Sequence, residues 1–284
     1  MSNVSQTHAA LVWRRLRRSK TAILGLFIVG LYLLCAMIGP WLAPYDPYLQ
    51  DLSISYLKPC AEHLLGCDEF GRDILSRLLY GARVSAVIQF WTVMISLLLG
   101  VFLGSISGYF GGRTDEVIMR FIDIMMAFPG ILLALAIVAV LGPSLVNLII
   151  AIGLNSVPGF SRVARGAVIS IKKNDYVTAA RAIGESEMSI LLRYVLPNAI
   201  SPIIVQTTMR MGTVLLTAAG LGFLGLGVQP PAPEWGSMLS AARVYLRSAP
   251  HIAVIPGITI MIVVLGFNFF GDGLQDALNP RLKE

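Results

Sequence analysis

The sequence predicts an all-α integral membrane protein with six transmembrane helices, and two observations support that prediction. Of the 284 residues, 56% are hydrophobic and only 13% are charged, and the mean hydropathy is +0.74, which is far from the composition of a water-soluble domain. Apolar runs of about 20 residues recur along the chain, and each can cross a hydrocarbon core about 30 Å thick. Lipid is therefore the expected solvent for most of the protein.

Six runs have the length and composition of a membrane span. Their expected bounds are 21–43, 84–109, 117–141, 145–160, 199–222 and 252–270. The first run follows a basic stretch, as in a signal peptide, but it is too long for one and ends without a small-residue cleavage site. The expected organisation is a basic N-terminal segment (1–20), the first helix (21–43), an extracytoplasmic loop (44–80), a core of five spans (81–272) and a C-terminal tail (273–284).

The distribution of lysine and arginine predicts the orientation. With the N-terminus in the cytoplasm, the inner segments carry 15 of the 22 lysine and arginine residues, and the outer segments carry 5. This bias places both termini in the cytoplasm. The net charge of +6 does not indicate nucleic-acid binding, because the basic residues lie in short blocks beside apolar runs rather than on one soluble face.

The inner segment 161–197 is too long to be a simple turn between adjacent spans, and its polar, helix-compatible sequence predicts a binding surface for a cytoplasmic partner. Asn174 or Asp175 can cap a helix that carries Ala179 and Ala180, and Gly184 can end that helix in a left-handed conformation. We therefore expect a short helix, a turn and a second helix.

This segment resembles the EAA loop of binding-protein-dependent ABC importer permeases, which docks on the ATPase subunit. The family pattern is Glu-Ala-Ala, three residues, Gly, nine residues and Ile-x-Leu-Pro. The candidate ATPase-coupling residues are Asp175, Thr178, Ala179, Ala180, Gly184, Leu196 and Pro197. Thr178 stands where the family has Glu, and Tyr194 stands where it has Ile. We refer to residues 161–197 as the coupling segment.

A second block of sequence narrows the resemblance. Residues 63–77, His-Leu-Leu-Gly-Cys-Asp-Glu-Phe-Gly-Arg-Asp-Ile-Leu-Ser-Arg, are similar to a segment of the C-type permeases of dipeptide, oligopeptide, glutathione and nickel importers, with Cys67 in place of Thr. Motifs at 108–112, 223–227, 230–236 and 267–280 follow the same family in the same order. The resemblance implies the type I ABC importer permease fold, with six spans and a cytoplasmic coupling segment, in the bacterial plasma membrane.

The resemblance also implies the partners: a homologous second permease subunit in a heterodimer, two cytoplasmic ATPase subunits and an extracytoplasmic solute-binding protein. ATP and Mg²⁺ would bind to the ATPase subunits, and no cofactor is expected in this chain. The sequence has no GxxxxGK[ST] phosphate loop and no HExxH or GxSxG motif, so we expect a translocation subunit rather than an enzyme. Peptide-like cargo is the first hypothesis, and glutathione, nickel or another metal chelate is the second. A channel that works without an ATPase is a distant alternative.

Arg210 lies near the middle of the fifth run, where a charged side chain costs about 2.5–3.5 kcal/mol on insertion scales. Two hypotheses explain such a residue: it lines the translocation pathway and meets a carboxylate of the cargo, or it pairs with an acidic residue or a helix end. Gln206 and Asn268 are the other candidate pathway residues, although single polar residues in spans more often bond neighbouring helices.

Several further residues carry structural predictions. Gly100, Gly104, Gly108 and Gly112 recur every four residues, which indicates close helix packing within the chain rather than at a dimer interface. Pro129-Gly130, Pro158-Gly159 and Pro256-Gly257 each interrupt an apolar run, and each predicts a break or a kink. We interpret Trp235 as an anchor at the membrane interface, and the resemblance to the family implies an outer gate or a contact with the binding protein as the alternative. Cys60 and Cys67 are either a disulfide pair or two free thiols.

Overall fold

The computed structural model describes residues 8–278, and these residues form helices joined by loops, with no β-strand among them. The predicted terminal segments extend beyond them, so residues 1–7 and 279–284 lie outside the described part. The helices are α1 (His8–Leu16), α2 (Lys20–Leu42), α3 (Ile74–Phe110), α4 (Gly112–Ala127), α5 (Gly130–Leu141), α6 (Leu145–Ile171), α7 (Asp175–Ala182), α8 (Glu187–Ile190), α9 (Ile200–Phe223), α10 (Trp235–Ala242) and α11 (His251–Leu278).

Five helical stretches are long and apolar enough to cross a membrane: α2, α3, α6, α11 and the continuous stretch Glu187–Phe223, which contains α8 and α9. The third predicted span is different, because α4 and α5 meet at an angle of 86°. The run 117–141 is therefore not one continuous helix, and the interruption predicted at Pro129-Gly130 is a break. Residues 8–278 contain six spans when this bent pair is counted as one.

Proline causes the break between α4 and α5. Pro129 has no N–H to donate, and its ring forces the preceding residue out of the helical region. Phe128 is accordingly extended, with φ −92° and ψ 134°. Pro158 and Pro256, in contrast, lie inside the continuous helices α6 and α11, so those two prolines do not divide a span.

α3 and α6 pack very closely along three glycines of α3. A Cβ atom added to Gly104 would lie 2.2 Å from the carbonyl oxygen of Ser161. Cβ atoms on Gly100 and Gly108 would lie 2.4 and 2.8 Å from other atoms of α6, whereas one on Gly112 would meet open space. Packing within the chain is therefore confirmed for the first three glycines of the repeat.

Gln89 joins three helices inside the bundle. Its Oε1 accepts a hydrogen bond from the hydroxyl of Tyr32 on α2 at 2.5 Å, and its Nε2 donates to the carbonyl oxygen of Met211 on α9 at 2.9 Å. Because a buried amide must find partners in a span, the structural role expected of single polar residues is confirmed here.

Trp235 is buried in the core and is not exposed to the surroundings of the protein. Only 2% of it is exposed, and its indole Nε1 donates to the carbonyl oxygen of Leu78 on α3 at 3.1 Å. Gly81 makes room for the ring, since a Cβ there would lie 2.7 Å from the indole. The interpretation as an interfacial anchor is therefore wrong, and Trp235 fixes α10 against α3.

Buried charges fix the outer loop between α2 and α3. Asp68 accepts a hydrogen bond from Arg72 Nε at 2.7 Å and lies 3.4 Å from Arg77 Nε. Arg77 in turn donates to the carbonyl oxygen of Pro47 at 3.0 Å. The loop ends at Asp73, whose side chain caps α3 by accepting from the backbone N–H of Ser76, so α3 begins well before the predicted loop boundary at residue 80.

The two cysteines of this loop are free thiols. Cys60 is exposed and Cys67 is fully buried. Burial raises the pKa of Cys67 to about 12, so its thiol stays protonated. Of the two alternatives that the sequence allows, the structure favours the unlinked pair.

Candidate coupling site and membrane pathway

The coupling segment forms a helical hairpin beyond the end of α6. α7 begins at Asp175 and follows Asn174 at the N-cap position. Gly184, with φ +88°, reverses the chain in the left-handed conformation that glycine adopts without steric cost. The predicted helix, turn and second helix are confirmed, and Leu196 and Pro197 lie in the connection to α9.

The inner face of α7 is packed against the rest of the bundle. Val177 and Ala180 are buried in a cluster with Val168 from α6. The same cluster includes Ile190 and Val195 from the second arm of the hairpin. Small side chains at such positions allow helix backbones to approach closely. α7 is therefore held as part of a solid hairpin, and Ala180 belongs to its packing rather than to its surface.

The outer face of α7 is apolar and uncovered. Ile183 is 78% exposed and Tyr176 is 41% exposed, and exposed Ala179 lies between them. Residues at i, i+3 and i+7 lie on one side of a helix, so the three form a continuous stripe, flanked by exposed Thr178 and Asp175. A contiguous apolar surface on a polar projection is typical of a protein-binding site.

Charged and hydroxyl groups fasten the hairpin to the end of α3. Arg181 Nε donates to Glu187 Oε1 at 2.8 Å, which closes the hairpin across its turn. The hydroxyl of Tyr109, from the last turn of α3, donates to the other carboxylate oxygen of Glu187. α7 is therefore bonded to a long membrane helix through three side chains.

Two more connections stiffen the same end of the bundle. Lys172 Nζ donates to the carbonyl oxygens of Gly108 and Tyr109 at 2.6 and 3.2 Å, where a cation also complements the negative end of the α3 dipole. Arg165 on α6 makes two hydrogen bonds, both of 2.6 Å, to the carboxylate of Asp115 on α4. The ends of α3, α4 and α6 and the hairpin are thus one connected unit.

Glu185 follows the turn at Gly184 and is bonded to the second arm of the hairpin. Its carboxylate accepts hydrogen bonds from the hydroxyls of Ser189 at 2.8 Å and Tyr194 at 2.9 Å. These bonds lower the pKa of Glu185, the bond from Ser189 having the larger effect. The carboxylate is therefore charged at neutral pH, and its stabilising bonds are lost only when the pH falls to the depressed pKa.

Replacement of Tyr109 by phenylalanine is expected to loosen the hairpin without unfolding the bundle. The change removes one hydroxyl and leaves the ring in place, and a hydrogen bond to a charged group contributes about 1.5 kcal/mol. Because Glu187 is half exposed, we expect amide exchange in α7 and α8 to become only about threefold faster. Hydrogen exchange mass spectrometry measures it. The control is Tyr80→Phe, at the other end of α3, and equal exchange rates in the two variants would contradict the prediction.

Arg210 and Gln206 face the same point of α6. A Cβ added to Gly159 would lie 2.5 Å from Arg210 Nη2 and 3.3 Å from Gln206 Nε2, so the glycine leaves space for both side chains. Arg210 Nε is buried without a hydrogen-bond partner within residues 8–278. No ion pair of Arg210 is found in that range either. The structural partner that one hypothesis requires is therefore not among the described residues.

Asn268, the third candidate pathway residue, lies elsewhere. It is exposed on α11, and its Oδ1 would lie 3.4 Å from a Cβ on Gly212 of α9. Gly212 follows Arg210 by two residues, which is about 200° around a helix. The structure thus brings Arg210 and Gln206 together, whereas Asn268 on α11 packs against a different face of α9.

Sequence reasoning missed the residues that connect the hairpin to the spans: Tyr109, Lys172, Arg181 and Glu187. Two of them, Arg181 and Glu187, carry opposite charges on either side of Gly184, which is a usable signal for a closed turn. Tyr109 had no signal of this kind, because it is separated from Glu187 by 78 positions.

Comparison with known proteins identifies the family. Residues 100–284, which include the whole coupling segment, match the sequence profile described as binding-protein-dependent transport system inner membrane component. The chain belongs to this permease family. Residues 7–59 match a second profile, the N-terminal TM domain of oligopeptide transport permease C. The resemblance to C-type permeases of the ABC importers is therefore confirmed.

Similar curated permeases extend over nearly the same length. The dipeptide transport system permease protein of Alkalihalophilus pseudofirmus is 48% identical, and the match covers 95% of this chain and 89% of that protein. The di/tripeptide transport system permease protein of Pseudomonas aeruginosa is 47% identical, with 95% and 91% covered. The glutathione transport system permease protein of Escherichia coli is 46% identical, with 95% and 90% covered.

Solved structures support the fold of the permease. Inward-facing methionine ABC transporter MetNI aligns with a TM-score of 0.59 at 18% identity, covering 72% of this chain and 96% of that one. An amino acid ABC transporter aligns with a TM-score of 0.54 at 17% identity, covering 70% and 93%. The permease is thus a multi-pass inner-membrane component of an ABC transporter with the type I fold, which works with an ATPase and a binding protein.

Proposed function

We propose that this permease carries dipeptides, oligopeptides or related peptide-like solutes into the bacterial cytoplasm, driven by ATP hydrolysis on separate subunits. The dipeptide and di/tripeptide permeases, at 48% and 47% identity over 95% of the chain, support peptide as the cargo class. The second candidate is glutathione, a tripeptide, which the relative at 46% identity supports.

One structural observation carries the mechanism: the hairpin has an uncovered apolar outer face and a firmly bonded inner face. The outer face, Tyr176, Ala179 and Ile183, is the surface proposed to bind an ATPase subunit. The inner face is tied through Glu187 to Tyr109 at the end of α3. A partner that moves the outer face therefore moves membrane helices with it, as a lever does.

The proposed assembly contains a homologous second permease subunit in a heterodimer, two cytoplasmic ATPase subunits and an extracytoplasmic solute-binding protein. Both termini and the coupling segment lie in the cytoplasm, in accordance with the distribution of basic residues. ATP and Mg²⁺ bind to the ATPase subunits, and this chain performs no bond chemistry. Its contribution is to bind, guide and release the cargo as two bundle conformations exchange.

The test is uptake by the purified complete transporter reconstituted in proteoliposomes with its binding protein. We expect ATP-dependent accumulation of a labelled dipeptide, competed by unlabelled di- and tripeptides and less by glutathione. A nickel chelate is the third competitor, and it too should compete less well than the peptides. Accumulation of glutathione or the chelate with no peptide uptake would contradict the peptide assignment, and uptake without ATP would contradict the ABC mechanism.

Replacement of Arg210 by glutamine is expected to weaken recognition of the cargo carboxylate. A hydrogen bond to a charged group contributes about 1.5–3 kcal/mol, so the KM for a dipeptide with a free C-terminal carboxylate rises about tenfold or more. The KM for the same dipeptide with an amidated C-terminus stays unchanged. Uptake kinetics with the two dipeptides measure the difference.

Arg83→Gln is the matched control, because it removes the same charge at a different position. Arg83 is exposed near the start of the spanning part of α3. If Arg210→Gln transported both dipeptides normally but lowered the melting temperature of the complex, the residue would have a structural role. The pathway assignment would then be withdrawn.

A further inference from the structure

An apolar groove of about 440 Å³ runs along the side of the bundle between α1, α9 and α11. Its lining includes Leu16 from α1, Ile204 from α9, and Phe270 and Leu274 from α11. α9 begins at Ile200, directly after the coupling segment, so the groove lies at the same end of the bundle as the hairpin. An open groove of this composition fits a hydrocarbon chain and excludes a polar ligand.

α1 is held in place as one wall of this groove. Leu16 is buried against Ala277, and Val12 and Leu274 pack against the same small cluster. Arg15 Nη1 donates to the carbonyl oxygen of Ala277 at 3.4 Å. The helix therefore does not lie free on a membrane surface but packs on the last turns of α11, and the groove is a built feature of the fold.

The rim of the groove is cationic. Arg14, Arg17, Arg18 and Lys20 are exposed, and no acidic side chain in the described range pairs with any of them. Arg17 lies over the ring of Trp13, 5.8 Å from its centre. Trp13 itself lines the groove and is 52% exposed, which places positive charge directly beside the apolar opening.

The nearest carboxylates do not neutralise this rim. Asp272 and Asp276 are both exposed on α11, and each is two residues from Leu274, about 200° around the helix. They therefore lie on the side of α11 opposite the groove. The positive charge at the rim is left for a ligand.

We infer that this groove binds an anionic phospholipid, with an acyl chain against Leu16, Ile204 and Leu274 and the phosphate beside Arg17. Arg14 and Arg18 lie within one helical turn of Arg17 and add positive charge to the same headgroup region. Both chemistries meet only in a lipid: the groove alone would suit any apolar surface, and the arginines alone would suit any anion. Basic clusters where helices meet at a membrane surface bind acidic headgroups in this way, and tryptophan favours the headgroup region. This site is independent of the cargo.

The test uses the complete transporter in detergent and a photoactivatable phosphatidylglycerol as the probe, with sites of labelling mapped by mass spectrometry. We expect labelling in residues 12–16 and 270–278. Each cation near an anionic lipid changes binding about fivefold, so the combined change Arg14→Gln, Arg17→Gln and Arg18→Gln is expected to weaken binding about 100-fold. A photoactivatable phosphatidylcholine of the same chain length should label the wild type as weakly as phosphatidylglycerol labels the triple variant.

A second variant, Ile204→Trp, fills the groove and leaves the rim unchanged; it should also lose labelling. The control Arg113→Gln with Arg120→Gln removes exposed charges from α4 and should label as the wild type does. Full labelling of the triple variant, equal labelling by phosphatidylcholine, or a groove occupied by a second permease subunit would each overturn the inference. So would displacement of the probe by inorganic phosphate alone, since the acyl chain would then contribute nothing.

Discussion

Replacement of Ala179 by glutamate is expected to reduce cargo uptake about thirtyfold or more while leaving the permease as stable as the wild type. Ala179 lies exposed in the middle of the apolar stripe on α7, between Tyr176 and Ile183. In the free permease the new carboxylate is in water and costs little. In the proposed assembly it would be buried against the ATPase subunit, where an unpaired charge costs several kcal/mol. A loss of about 2 kcal/mol at one interface position already weakens binding about thirtyfold.

The neighbouring position supplies a matched control. Thr178 is also exposed on α7, and the EAA loop that this segment resembles has glutamate there. Thr178→Glu adds the same side chain one residue away and should keep normal uptake. Because both variants add the same charge, a difference in uptake between them must come from the position of the carboxylate.

Uptake, ATP hydrolysis and recovery of the ATPase subunits are measured on the same purified complexes. We expect Ala179→Glu to recover less ATPase and Thr178→Glu to recover the normal amount. Normal, ATP-dependent uptake by Ala179→Glu would mean that the outer face of α7 is not the surface through which force enters. Failure of both variants would mean that any carboxylate disturbs the hairpin.

The hairpin was predictable because its signals are local. Asn174 is the N-cap residue of the helix that carries the alanine pair, Gly184 follows that cap by ten residues, and Pro197 precedes the next span. Each of these signals acts within a few residues of backbone. Gly184 adopts the positive φ expected of it. The sequence also located the break at Pro129, but not its 86° angle, since the direction of α5 depends on how it packs against α6.

The errors concern contacts between distant parts of the chain. The sequence around Trp235 is rich in proline and lies between spans, which is typical of an interfacial position. Its burial depends on Gly81, a residue more than 150 positions earlier, where the absence of a side chain admits the indole ring. No pattern near Trp235 carries that information. The contact between Tyr109 and Glu187 is of the same kind.

The pathway residues fall between these cases. The cost of a charge in a span identifies Arg210 from the sequence alone, and helical spacing places Gln206 on the same face, as the structure does. Asn268 is on another helix, and its position relative to Arg210 depends on the rotation of α11 against α9. Only the packing of Asn268 beside Gly212 reveals that rotation.

Replacement of Gly104 by alanine is expected to destabilise the permease by about 3 kcal/mol, the upper end of the usual range for overpacking. The added Cβ would lie 2.2 Å from the carbonyl oxygen of Ser161, and ordinary contact begins near 3.4 Å. The obstacle is backbone, which no rotamer change can move, so α3 and α6 must separate by about 1.2 Å along their closest packing. The hydrogen bonds of Lys172 to the end of α3 span the same helix pair and weaken with it.

The sign of this effect distinguishes packing from helix propensity. Alanine is a better helix former than glycine by about 1 kcal/mol, so a glycine in open space should be neutral or stabilised by the change. Gly30 on α2 and Gly166 on α6 are such positions, since a Cβ on either meets nothing within 4 Å. Thermal unfolding in detergent should therefore show a lower melting temperature for Gly104→Ala and an equal or higher one for the two controls. A melting temperature for Gly104→Ala equal to that of Gly166→Ala would mean that α3 and α6 do not pack backbone to backbone.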